Sequence, residues 1–151
     1  MTVSASGRPH ALPVWGLWLP GTDDRFWFSC APTARKARNL AENPRCVVTV
    51  DDTVECVSVE GRARLVDPEA EPAAAGRMVA AYLAKYWADS GVHAEMEAFL
   101  RSNALIEMVP EVAFGIIERE DEFSGHPLAL VVGQSRSFQL RRRPRPWGAA
   151  T

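Results

Sequence analysis

The chain has 151 residues, 47% apolar and 24% charged, the balance of a globular domain rather than of a fibrous or disordered chain. That length buries roughly two thirds of the unfolded surface without a disulfide or metal staple, and no apolar run approaches the roughly 18 residues of a membrane span. The net charge of −2 is split. Nothing after Glu122 is acidic, while Arg136, Arg141, Arg142, Arg143 and Arg145 follow it, which disfavours a global nucleic-acid surface and leaves room for a local anion site.

The first nine residues lack the basic start and apolar stretch of a signal peptide. Gly7-Arg8-Pro9 breaks the chain, and residues 11–19 read as a strand. Pro13 and Gly16 in it mark an edge or a close approach to the backbone. Residues 20–24 read as a turn, and the aromatic run 25–30 completes a hairpin. Thr33 is placed to cap a helix over 34–42, which Asn43-Pro44 ends. Residues 46–50 form a β-branched strand, Asp51-Asp52 a turn, and 54–66 another strand. Asp67 and Pro68 are expected at the N-cap and first position of a helix reaching Lys85, with Met78, Ala81, Tyr82 and Lys85 at helical spacing. A short helix follows over 90–100. Two strands, 103–109 and 111–119, are separated by Pro110. Residues 118–122 are acidic and expected on the surface, 128–132 are apolar, and a basic, Pro-rich tail closes the chain.

Adjacent strands joined by short turns predict a mostly antiparallel, barrel-like sheet with helices packed outside. No GxGxxG or GxxxxGK[ST] occurs, which disfavours a doubly wound nucleotide fold. Cys30, Cys46 and Cys56 are odd in number and form no CxxC, so neither a disulfide framework nor a zinc site is expected. The compartment expected from this is the cytoplasm.

The segment Thr33-Ala34-Arg35-Lys36-Ala37-Arg38 carries the chemistry. Three cations in the first turns oppose the helix dipole, and a bound phosphate would reverse the sign of that effect. A solvated basic face is the competing reading. The aromatic strands beside it suit a planar ring, although Trp15, Trp18, Phe26, Trp27 and Phe28 also read as core or interface residues. His10, His93 and His126 are scattered, and no cysteine or serine has an activating partner in sequence, so no catalytic residue is assigned.

Several segments occur together in one order: Gly7-Arg8-Pro9-His10, Pro13-Val14-Trp15, Phe26-Trp27-Phe28-Ser29, Arg35-Lys36-Ala37-Arg38-Asn39-Leu40, Asn43-Pro44-Arg45 and Val57-Ser58-Val59-Glu60-Gly61. This order resembles the pyridoxamine 5'-phosphate oxidase-like split-barrel family, in its branch of actinobacterial flavin and deazaflavin oxidoreductases. The resemblance implies a mainly β, six-stranded antiparallel split β-barrel with flanking helices. It implies a homodimer with FMN or the deazaflavin coenzyme F-420 at the subunit interface, acting on a small-molecule substrate without nucleic acid or membrane. The phosphate would meet Arg35 and Lys36. The ring would meet Pro13, Val14, Trp15 and Gly16, with Ser29, Cys30, Thr33 and Arg38 as further contacts. Hydride transfer by such a cofactor needs few protein catalytic groups. A cofactor-binding protein without turnover, or a haem-binding member with His10 or His93 as axial ligand, is the alternative. The expected domain covers residues 1–127, without the helix that usually precedes the first strand, and 128–151 form an atypical basic tail.

Overall fold

The structure is a computed structural model that describes residues 1–19, 24–50, 55–88, 91–117, 128–131 and 139–140. The turns expected at 20–24 and 51–52, the acidic run 118–122 and most of the basic tail fall largely or wholly outside them.

The strands are β1 (Thr2–Val3), β2 (Pro9–His10), β3 (Gly16–Leu19), β4 (Arg25–Cys30), β5 (Arg45–Thr49), β6 (Glu55–Val66), β7 (Ala104–Ile117), β8 (Leu128–Val131) and β9 (Gln139–Leu140). The helices are α1 (Arg35–Glu42), α2 (Pro72–Tyr86) and α3 (His93–Ser102). The sheet runs β2-β1-β5-β6-β7-β4-β3, and β8 pairs with β7 and β9. The pairings β1–β2, β1–β5, β3–β4 and β4–β7 are antiparallel, as are β7–β8 and β8–β9. The sheet therefore has more strands than the six expected.

The chain divides into two compact units, Met1–Cys46 with Gly61–Pro110, and Val47–Glu60 with Glu111–Thr151. The first holds the main core. Ala75, Met78, Val79 and Tyr82 recur at i, i+3, i+4 and i+7 on α2 and bury one stripe. Leu17, Trp27, Val66, Leu100 and Leu105 complete that cluster. Fully burying a side chain such as Met78 contributes about 1.5–3 kcal/mol. Of the expected stripe, Met78 and Tyr82 are in the core and Ala81 packs against it, while Lys85 is exposed and reaches the backbone of β3. In the second unit the Val50 N–H donates to the Val57 carbonyl (3.0 Å) and Thr49 Oγ1 meets Ser58 Oγ (3.2 Å), which holds a hairpin together.

Three elements differ from the sequence reading for local reasons. Residues 11–15 are not strand, and the ladder begins at Gly16, paired with Phe28. Pro13 has no N–H to give to a ladder. The helix expected from Asp67 begins at Pro72, with Glu71 at the N-cap position. Asp67 Oδ1 instead accepts the Glu69 N–H (2.9 Å), a turn that competes with helix, and Pro72 takes the first helical position. Residues 104–117 form one strand through Pro110. β4 pairs with Ala104–Met108 and β8 with Val112–Gly115, so Pro110 falls in the gap between these two ladders, where neither β4 nor β8 takes an N–H.

Candidate functional site

The basic helix α1 forms because Ala, Arg, Lys, Leu and Glu all favour helix, and Asn43 before Pro44 cannot continue it. Its N-cap position is Ala34, without a side-chain cap. Thr33 is exposed and does not cap; its carbonyl accepts Arg38 Nη1 (3.0 Å). Ala37, Asn39 and Leu40 face inward. Asn39 Nδ2 donates to Thr2 Oγ1 (2.9 Å), a buried bond that ties α1 to β1.

Successive helical residues diverge by roughly 100°, so the cations do not share one direction. Arg35 and Arg38 line a cleft of about 230 Å³ together with Ser4, Arg8 and His10. Lys36 is not part of that lining. Its charge is felt at Cys30, at the N-terminal amine and at His10 of the cleft lining. Burial pushes the Cys30 thiol up, against the pull of Lys36 and the Ala37 amide. The thiol is therefore protonated at neutral pH and a poor nucleophile. All three cysteines are free. Partial burial, then Arg35, Lys36 and the N-terminal amine, hold the His10 ring below its ordinary range.

The segment before β3 is held from the side by α2. Tyr82 donates its hydroxyl to the Trp15 carbonyl. Burial, then Tyr86, raises the Tyr82 pKa, while hydrogen bonds from Ser29 oppose the rise. Lys85 Nζ (2.7 Å) and Tyr86 Oη (2.6 Å) both donate to the Gly16 carbonyl. The Trp15 ring stacks on Tyr86 with centroids 5.5 Å apart, yet stays 64% exposed. Pro13 is exposed and Val14 half-buried. Gly16 lies against Phe26, where a Cβ would stand 2.2 Å from the ring.

The structure thus links Trp15, Gly16, Ser29 and Cys30 through Tyr82 and the β3–β4 ladder, and the Lys36 charge acts on Cys30. Arg35 and Arg38 face the neighbouring cleft with the β1–β2 turn. Sequence reasoning missed Arg8 as a partner of α1, and missed Tyr82, Lys85 and Tyr86 as anchors of residues 15–16. Only the strand register, with Thr2 opposite His10, brings the β1–β2 turn to the helix. Among the described residues no cluster of His, Cys, Asp and Glu is arranged to hold a metal ion. No described helix is long and apolar enough to cross a membrane.

No curated protein matches this chain in sequence. A pyridoxamine 5'-phosphate oxidase-related, FMN-binding protein from Nostoc punctiforme is similar in structure, with a TM-score of 0.66, 14% identity and coverage of 95% of this chain and 84% of that one. A conserved hypothetical protein from Mycobacterium tuberculosis gives 0.63 at 23% identity, covering 88% and 82%. HutZ, the haem storage protein from Vibrio cholerae, gives 0.55 at 20% identity, covering 73% and 78%. At these identities the likeness is one of fold. The sequence pattern of the family described as pyridoxamine 5'-phosphate oxidase matches residues 1–113. With that match over most of its length and the antiparallel split-barrel fold, flanked by helices, the chain belongs to the pyridoxamine 5'-phosphate oxidase family.

Proposed function

We propose that the protein binds a flavin-type cofactor, FMN or the deazaflavin coenzyme F-420, and works as an oxidoreductase on a small substrate. One observation carries this reading: Tyr82 joins Trp15 to Ser29 at the end of β4, and the charge of Lys36 on α1 reaches the adjoining Cys30, so an aromatic segment and a cationic helix start are linked through β4. The residues fit such a group in part. Lys36 and Arg35 supply charge for a phosphate, and the exposed face of Trp15 supplies a ring surface. The carbonyls of Trp15 and Gly16 are already used by α2, so ring recognition falls to other atoms of Pro13, Val14 and Trp15. The cofactor, when bound, supplies the hydride chemistry. The chain positions it, and the protonated Cys30 takes no covalent part.

The exposed Leu12 and Trp15, 59% and 64% accessible, support a homodimer whose interface covers them and borders the cofactor. Absorbance titration with FMN and with F-420 tests the reading, and saturable binding of one of them is expected. Replacing Arg35 and Lys36 together by Ala should weaken that binding by several kcal/mol, at roughly 1.5–3 kcal/mol for each charge-assisted bond. No binding of either cofactor overturns the reading. Light scattering should give about twice the 16.6 kDa chain mass.

The likeness to HutZ favours haem binding as a second reading. His93 Nε2 is engaged by the Trp87 carbonyl (2.5 Å), which leaves His10 as the better axial ligand. A Soret band lost in His10→Ala would support haem over flavin.

A further inference from the structure

We propose that Lys85 and Tyr86, in the last turn of α2, are positioning residues for the cofactor: they fix residues 15–16 so that the open face of Trp15 is presented to its ring. This rests on the flavin-type reading above and names the side chains that hold that part of the site rigid. Residues 11–15 precede the β3–β4 ladder, which begins at Gly16, and Pro13 has no N–H with which to extend it. A segment of this kind meets a planar ligand in one orientation only if it is held from outside.

Tyr82, Lys85 and Tyr86 lie at i, i+3 and i+4 on one face of α2. They donate to two successive carbonyls, Tyr82 to that of Trp15 and both Lys85 Nζ and Tyr86 Oη to that of Gly16. Tyr86 also lays its ring against Trp15, with the two planes only 22° apart. The Lys85 ammonium stands 4.9 Å from the centre of the Tyr86 ring, a cation–π contact that steadies both donors. One helical turn thus holds the backbone and the side chain of Trp15 together. A mobile Trp would lose rotamer freedom on stacking with a ligand, whereas this ring is already fixed on one face.

Core packing does not account for these two side chains. The stripe of α2 that fills the core is Ala75, Met78, Val79 and Tyr82. Lys85 is exposed and Tyr86 half-buried, and their polar atoms converge on a carbonyl of β3, the strand that ends the sheet order.

The test is absorbance titration with FMN and with F-420, on the wild-type chain, Lys85→Met, Tyr86→Phe and the double variant. Hydrogen exchange at residues 15–17 of the cofactor-free proteins is read beside it. Tyr86→Phe keeps the stacking ring and removes only the donor. With both bonds to Gly16 lost, exchange at residues 15–17 should quicken, and cofactor affinity fall, by about tenfold each. The visible band of the bound cofactor should also move in the double variant. Lys85→Arg, which keeps a cationic donor, should restore wild-type binding. If the double variant does not fold, Lys85→Met at its exposed position carries the same comparisons with smaller changes. Unchanged exchange, unchanged affinity or an unmoved band each overturns the positioning role while leaving the cofactor reading intact. Failure of the wild-type chain to bind either cofactor overturns the flavin-type reading, and this role of α2 with it.

Discussion

Tyr82 is the residue whose chemistry is most sharply set by its surroundings. Burial, with Tyr86 adding to it, raises its pKa above the ordinary value of about 10. The phenol is therefore neutral in the folded chain where it ionises in the unfolded one. Stability from this group is complete below the unfolded pKa and is lost as pH climbs toward the raised one. Denaturant midpoints should fall above about pH 10, by up to roughly 1.4 kcal/mol per pH unit, and Tyr82→Phe should flatten that fall. The same variant leaves the Trp15 carbonyl without its donor, at a cost of about 1–3 kcal/mol at neutral pH. At this scale the sequence was partly legible. Arg35, Lys36 and Cys30 stood out by type and spacing. Tyr82 did not, because its partners Trp15 and Ser29 lie more than fifty residues away along the chain.

At the scale of elements, two close approaches decide which strands can sit side by side. A Cβ on Gly61 would stand 2.2 Å from the Val109 carbonyl oxygen, so β6 and β7 can approach only with Gly there. Gly61→Ala must move backbone and should cost about 3 kcal/mol, at the upper end for overpacking. Gly16→Ala meets the tip of the Phe26 ring, which can turn aside, and should cost nearer 1 kcal/mol in the same urea titration. A second device links β6, α2 and β7: Arg64 donates to Glu107 Oε2 (2.7 Å) and to Glu71 Oε2 (2.8 Å). The Arg64 bond, outweighing desolvation, holds the Glu71 carboxyl below the ordinary range. Its contribution is present above the ordinary carboxylate pKa and lost as pH falls through the lowered one. Arg64→Met should raise the Glu71 titration, followed by NMR, out of its lowered range. The strand and helix series was largely readable because period and breakers are local. The extension through Pro110 was not, since it depends on which neighbour lies beside that residue.

At the scale of the molecule, the arginine-rich end attracts notice first in the sequence; among the described residues, the arginines that line one cleft belong to α1 and the β1–β2 turn. The fold class was legible from the order of elements and from the family resemblance. The sheet order was not, because β7 pairs with β4 across more than seventy intervening residues. That separation has a consequence in time. The β3–β4 hairpin is made early in synthesis and carries Phe26, Trp27 and Phe28 along an open edge until β7 arrives. Closing so long a loop is entropically slow, and the waiting edge is a template for another chain. Refolding from denaturant should therefore give a yield that falls as protein concentration rises, and a separate peptide spanning Ala104–Met108 should shift the loss by occupying that edge. The interval between making β4 and making β7 is thus the stretch of synthesis in which that aromatic edge still waits for its partner strand.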